Sequence, residues 1–215
     1  WDDMSEEMRN RPDLTAGEAE AIKASCPSVA GVAPTNRYWS PGGNVAKFGN
    51  RKATNITYLG TWPDYLSVKD RSLQAGRFIS PGDVERRSQV AVIGHQVANT
   101  LFEGQSALGQ VIRVNGNRFE VIGIFEEIES NFGESYENKW VAIPLSTFEK
   151  IHPWEEALSL EVRAESLDAL DEAKEEIINA LRVYRRVPFG KENNFELVTQ
   201  DTYKEKVNQI TGVIY

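Results

Sequence analysis

The chain has 215 residues, 40% hydrophobic and 10% aromatic, which suits one domain or two modest ones and excludes a disordered chain. With 32 acids against 24 bases, a formal charge of −8 and no basic run, it is ill-suited to a nucleic-acid backbone or an anionic lipid surface as its main partner. The single cysteine cannot close an internal disulfide, and no long apolar stretch is present to span a bilayer.

Residues 1–11 are polar and of mixed charge, a leader rather than core. Thr15 and Glu18 then form a capping-box pattern for a helix that stops at Pro27, with Cys26 as a small buried side chain near its end. Val29 to Tyr38 reads as a strand broken by Pro34, followed by a turn cluster at Pro41-Gly42-Gly43-Asn44. Val45 to Phe48 and Ala53 to Leu59 are further strands around a Gly49-Asn50 turn, and Leu66 to Leu73 holds a helical turn. Ser80-Pro81-Gly82-Asp83 is a second turn cluster.

Ser88 to Phe125 is the most legible stretch. Val90 to Ile93 is an apolar run ended by Gly94, and Gln96 to Phe102 has a helix's spacing. Val111 to Val114 and Phe119 to Ile124 flank Asn115-Gly116, the strongest short-range signal for a β-hairpin. The stretch predicts a strand, a short helix and a hairpin.

An acidic loop follows at Glu126 to Lys139, with five glutamates and one lysine, interrupted by Phe132 and Tyr136. Trp140 to Ile143 is a strand, Ser146 with Glu149 a second capping box, and Leu158, Leu160 and Val162 alternate as a half-buried strand. Ser166 caps the clearest helix, with Leu167, Leu170, Ala173, Ile177, Leu181 and Tyr184 on one face. Acids near its start and Arg182, Arg185 and Arg186 near its end complement the helix dipole. Phe195 to Val198 is a final strand, and Tyr203, Val207 and Ile210 line a closing helix. Helix and strands at both ends enclose a β-rich middle, an α+β pattern in which the two ends resemble halves of one sandwich.

Catalytic chemistry finds little support. His95 and His152 lack local partners at ligand spacing and read as satisfied or surface side chains, and three His and Cys in total are too few for a zinc site. No nucleophile elbow, phosphate loop or calcium loop occurs. Glu126, Glu127, Glu129 and Glu134 read as a solvated loop, and nothing selects one glycosidase-like pair among 32 acids. No catalytic, metal or cofactor-binding residue is assigned. The loop aromatics Tyr38, Trp39, Phe132 and Tyr136 sit where burial is hard, and are candidates for partner contact; folding back onto the core is the competing reading.

The order of several short segments carries a resemblance. Val90-Ala91-Val92-Ile93-Gly94, Val97-Ala98, Leu101-Phe102, Leu108-Gly109, Val114-Asn115-Gly116, Phe119 and Val121-Ile122-Gly123 together resemble the periplasmic core domain of MacB-type ABC transporter permeases. Leu14-Thr15, Val29-Ala30-Gly31-Val32, Gly60-Thr61, Pro63-Asp64-Tyr65, Gly76-Arg77-Phe78 and Ile143-Pro144-Leu145 flank them in the expected order. The resemblance implies a porter-like, open-faced sandwich built from both chain ends, with an inserted smaller α/β lobe. Its boundaries would be 12–67 and 157–204 for the porter-like lobe and 68–156 for the inserted lobe, with 1–11 a leader from a first transmembrane helix and 205–215 a lead-in to a second.

It also implies an extracytoplasmic, non-catalytic domain that relays ATP-driven change in efflux or in lipoprotein or peptide export. Its partners would be a second permease copy, a separate or fused nucleotide-binding ATPase, and in some systems a periplasmic adaptor. The chain ends should then lie close together, and the isolated piece should be monomeric or weakly dimeric. A secreted carboxylate hydrolase and a stand-alone peptide- or carbohydrate-binding module are the alternatives left open by the residues themselves.

Overall fold

The computed structural model describes residues 11–129 and 135–199. The expected leader, the closing helix around Tyr203, Val207 and Ile210, and Phe132 therefore lie outside the described residues, apart from Arg11. The elements in chain order are α1 (Ala16–Ser25), β1 (Val29–Tyr38), β2 (Asn44–Phe48), β3 (Arg51–Thr61), α2 (Tyr65–Val68), β4 (Leu73–Gly76) and α3 (Pro81–Glu85). There follow β5 (Val90–Ile93), α4 (His95–Phe102), β6 (Val111–Val114), β7 (Asn117–Phe125), a 3-10 turn (Tyr136–Lys139), β8 (Trp140–Pro144), α5 (Leu145–Ile151), β9 (Ser159–Ala164) and α6 (Leu170–Tyr184).

One sheet runs through the described residues, ordered β2-β6-β7-β5-β8-β3-β1-β9, with β4 paired to β7. Because β2 also pairs with β3, the strands β2, β6, β7, β5, β8 and β3 close into a ring, and β1 and β9 extend from β3 as a flap. β3 belongs to both parts. Its first half, Arg51 to Ile56, faces β2, and its second half, Thr57 to Thr61, pairs with β8. Tyr58 to Thr61 also pair with β1.

Three apolar clusters follow from this layout. Ala46, Ile56, Ile93, Ile112, Phe119, Val121 and Val141 from the ring strands join Val97, Leu101 and Phe102 of α4. Along β7, buried Phe119 and Val121 alternate with exposed Arg118 and Glu120, the period-two pattern of a strand with one wet face. A second cluster, including Leu59, Tyr65, Val92, Phe125 and Trp140, is covered by the segment after β3, with Val68, Phe78 and Ile79. The third joins the first and last described helices: Ala19 and Ile22 of α1, Ile177 and Leu181 of α6 and Val32 of β1, with Leu160, Val162 and Phe195 against them.

The strand–helix–hairpin stretch folds as read. Asn115 and Gly116 have φ of 47° and 91°, the pair of positive values that a type I′ turn requires. The Asn115 carboxamide also reaches β2, accepting from Val45 N–H at 3.0 Å and donating to Asn44 Oδ1 at 2.8 Å. Gly94 has a steric reason: a Cβ there would lie 2.3 Å from the Asn138 carbonyl oxygen.

Several expectations are corrected. Pro34 does not break β1; its missing N–H falls one residue before β1 begins pairing with β3 at Thr35↔Thr61, and its carbonyl accepts from Thr61 Oγ1 at 3.0 Å. The second turn cluster is the short helix α3, with proline in its first turn and a Ser80–Asp83 capping box. The Ser146–Glu149 box does not form. Pro144 leads straight from β8 into α5, and Ser146 Oγ donates instead to the Val84 carbonyl at 2.5 Å. Leu167 is 90% exposed, because α6 starts only at Leu170 and Ser166 caps the bend before it. Residues 195–198 are not a strand: buried Phe195 packs in the cluster of α1 and α6 instead. Cys26 is buried but sits just past α1 rather than within it.

Candidate functional site

Two features stand out. The first is where the segment entering α1 meets the end of α6. Glu18, in the first turn of α1, accepts from the Thr15 backbone N–H at 2.6 Å and from the Thr15 hydroxyl at 2.5 Å, as the capping pattern requires. Its other oxygen accepts from Arg185 Nε at 2.5 Å, and the two side chains are only 4% and 6% exposed. Arg185 follows α6, 167 residues away in sequence. Its remaining donors reach the carbonyls of Pro12 (3.2 Å), Asp13 (2.9 Å) and Asn194 (2.9 Å). A single guanidinium therefore holds the segment entering α1, the start of α1, the end of α6 and the segment leaving α6. Tyr184 adds contact: its hydroxyl occupies the space that a Cβ on Gly17 would need.

Burial alone would raise the Glu18 pKa, but the hydrogen bonds from Thr15 and Arg185, with the Arg185 charge, outweigh it and hold the carboxyl below its ordinary value. Buried charges are tolerated where they are paired and hydrogen-bonded, and here Arg185 pairs with Glu18 and donates to three backbone carbonyls besides.

The second feature is an aromatic cluster around His152. Its ring stacks on Tyr38 (centroids 4.2 Å apart, 19° between planes) and meets Phe148, Tyr58 and Trp154 at 4.9, 5.5 and 5.6 Å. The residue is 4% exposed, and among the described residues neither ring nitrogen has a hydrogen-bond partner. That corrects the expectation of a satisfied or surface histidine: aromatic faces, rather than polar partners, fill its surroundings. Burial lowers its pKa, with Glu155 opposing, so the neutral ring is favoured. His95, by contrast, is tied to Gln74 (2.8 Å) and Asn99 (2.7 Å).

The candidate contact residues separate. Tyr38 is folded onto His152, whereas the adjacent Trp39 is 76% exposed. Tyr136 is 68% exposed and edge-on to buried Trp140. The base of the acidic loop is fixed: the Asn138 carboxamide pairs with both backbone groups of Ile128 (2.8 and 3.0 Å), and Arg71 lies over the rings of Phe125 and Trp140. Sequence reasoning missed Trp154, which is 65% exposed, and the role of Arg185. Among the described residues no group of three or more His, Cys, Asp or Glu side chains is placed to hold a metal ion, and no helix is long and apolar enough to cross a membrane.

Residues 2–180 match the family described as the MacB-like periplasmic core domain. The chain belongs to that family. It is 32% identical over 189 residues, 86% of its length, to the macrolide export ATP-binding/permease protein MacB of Rhodospirillum rubrum. It is 29% identical over 168 residues, 75% of its length, to the uncharacterized ABC transporter permease YvrN of Bacillus subtilis. The chain spans only 28% and 39% of those two proteins. The fold matches the periplasmic region of MacB from Actinobacillus actinomycetemcomitans, with a TM-score of 0.73, 20% identity, and coverage of 93% of this chain and 85% of that one. It also matches the extracellular domain of the noncanonic ABC-type transporter YknZ from Gram-positive bacteria, with a TM-score of 0.69, 22% identity, and coverage of 91% and 95%. The chain is thus an extracytoplasmic domain of the kind carried by MacB-like permeases.

Proposed function

We propose that this domain relays an ATP-driven conformational change from an ABC permease's membrane part to the space outside, and contacts substrate or partner proteins there. In this reading it is not catalytic. Hydrolysis belongs to a separate or fused nucleotide-binding unit across the membrane, two permease copies work together, and an adaptor joins them in some systems. The porter-like lobe is 12–67 with 157–204 and the inserted lobe 68–156. The third apolar cluster favours the first of these units, since it draws on α1, β1, β9 and α6 together.

The observation that carries the reading is the Arg185 junction. Pro12, Asp13 and Asn194 accept from one guanidinium that is also paired with Glu18. Motion arriving through either end is therefore delivered to the other and to both helices of the flap as one body. Small displacements are passed on by packed, fully bonded elements rather than absorbed.

The test uses the intact permease with its ATPase in nanodiscs, spin-labelled at Phe189→Cys in each copy; Phe189 is fully exposed and the native Cys26 is buried. The distance between copies should change between the nucleotide-free and vanadate-trapped states. In a Glu18→Leu/Arg185→Leu background, hydrolysis should persist while the distance change shrinks. An inter-copy distance that ignores nucleotide in the otherwise unaltered protein would refute the relay.

A further inference from the structure

Beside the His152 cluster lies a cleft of about 330 Å³, lined by Thr15, Ala16, Glu149, His152, Pro153, Glu155, Glu156 and Leu158. It contains three carboxylates and no lysine or arginine. Among the described residues, none of the three carboxylates forms an ion pair. Burial pushes the Glu149 carboxyl up, with the Arg87 charge opposing, as expected where an anion is partly withdrawn from water.

The lining is held in place. Asn36 Nδ2 donates to the Glu155 carbonyl at 2.6 Å, and Leu158 bridges to Leu14. His152 lines the cleft while 4% exposed and without a partner for either ring nitrogen among the described residues. One exposed tryptophan belongs to the same cluster: Trp154, between Pro153 and Glu155 of the lining, stands edge-on to His152. Tryptophan beside unneutralised carboxylate suits a basic side chain with an apolar neighbour: the ring faces attract the cation, and large aromatics dominate interface energetics.

We propose that this cleft, with Trp154 beside it, docks a segment of a partner protein that presents lysine or arginine next to an apolar residue. The overall charge of −8 acts in the same direction, drawing basic partners and turning away acidic ones. The inference rests on the reading that this outer domain meets partner proteins. It also links the cleft to the junction, because Thr15 both lines the cleft and hydrogen-bonds Glu18.

The test needs only the isolated 215-residue chain. It is titrated with the blocked peptide Ala-Arg-Leu-Arg-Ala and its Glu-for-Arg counterpart, followed by amide and indole NMR shifts. The basic peptide should shift the indole of Trp154 and the amides of 149–158, and should weaken several-fold between about 50 and about 500 mM salt. Glu155→Gln/Glu156→Gln and Trp154→Ala should each weaken it about tenfold with little change in melting temperature, since Trp154 and Glu156 are exposed and half-buried Glu155 is replaced by a side chain of the same size. Equal binding of the acidic peptide, equal binding to the variants, or no shift at millimolar peptide would overturn the proposal. Concentration-dependent broadening at these residues without peptide would overturn it in favour of a second copy. Nucleotide-dependent motion in the intact permease is read separately, so the relay can fail while the cleft survives, and the reverse.

Discussion

Arg185→Leu offers the sharpest test of the junction. Glu18 and Arg185 are 4% and 6% exposed, and the substitution leaves the carboxylate buried with only Thr15 as a donor. Breaking a buried pair on one side costs about 3–5 kcal/mol, because the surviving charge is uncompensated. The carbonyls of Pro12, Asp13 and Asn194 also lose a donor, but these segments lie near solvent and add little. For a domain of this size, 1 kcal/mol moves the melting temperature by about 2–4 °C, so a drop of about 10 °C is expected. Glu18→Leu combined with Arg185→Leu should recover most of it, since an apolar pair of similar volume removes both charges. The pH dependence discriminates further. In the native protein the Glu18 pKa is held below its ordinary 4.5, so its contribution is complete above that value and lost as pH falls through the folded pKa. Without Arg185 the Thr15 hydrogen bonds remain but two lowering influences are gone, so the folded pKa lies higher than in the native protein and the variant loses less stability in acid. The stability gap between native protein and variant should therefore narrow as pH falls through the carboxylate range. Urea unfolding followed by circular dichroism measures all three proteins. A single substitution costing under about 1 kcal/mol, or a double variant as weak as the single one, would refute the account.

Three further outcomes follow from the fold. With the pKa of His152 below its ordinary 6.5, the unfolded chain takes up the proton first, so this residue's contribution is full above pH 6.5 and declines below it; His152→Leu should flatten the urea midpoint between pH 7.5 and 5.5. Gly94→Ala should cost about 2 kcal/mol through overpacking alone, since φ is −68° and the added Cβ meets the Asn138 carbonyl; a thermal melt within 1 °C of native would contradict this. Trp39→Ala, at a side chain 76% exposed, should change unfolding stability by under about 0.5 kcal/mol, which makes it usable in partner-binding assays without loss of fold.

Local chemistry was legible in the sequence, whereas closure was not. The Asn115-Gly116 hairpin, the buried run Val90 to Ile93 and the Thr15–Glu18 cap all lie within a few residues, and each formed as read. The α+β order was legible for the same reason. The ring was not, because it depends on β2 pairing with both β3 and β6, and only two residue pairs, Ala46↔Val114 and Lys47↔Arg113, join β2 to β6. Two local errors have local causes. Ser80 and Asp83 carry a capping-box signal that the Pro-Gly between them disguised as a turn. Leu167 fits the helical period of α6 but precedes the helix that would give that period meaning.

The candidate site divides along the same line. Exposed aromatics could be proposed from their loop context, and Trp39 and Tyr136 are indeed exposed; whether a neighbouring aromatic folds inward depends on what lies across the sheet, and Tyr38 found His152, 114 residues later. Arg185 had an adequate local explanation as a cation near a helix C-terminus, and Glu18 another as a capping carboxylate. Nothing in either neighbourhood said that each would serve as the other's counter-ion across 167 residues. Yet the combination has a physical logic. A helix start wants a carboxylate and a helix end wants a cation, so when α1 and α6 pack with start against end, the two local preferences are met by a single pair. That pair then has donors left over, and the backbone nearest to hand is that of the two segments connecting the helices to the rest of the chain. A junction between α1 and the end of α6 thus emerges from ordinary capping chemistry once the flap brings its two helices together, and the Glu18→Leu/Arg185→Leu variant asks whether that junction does more than stabilise.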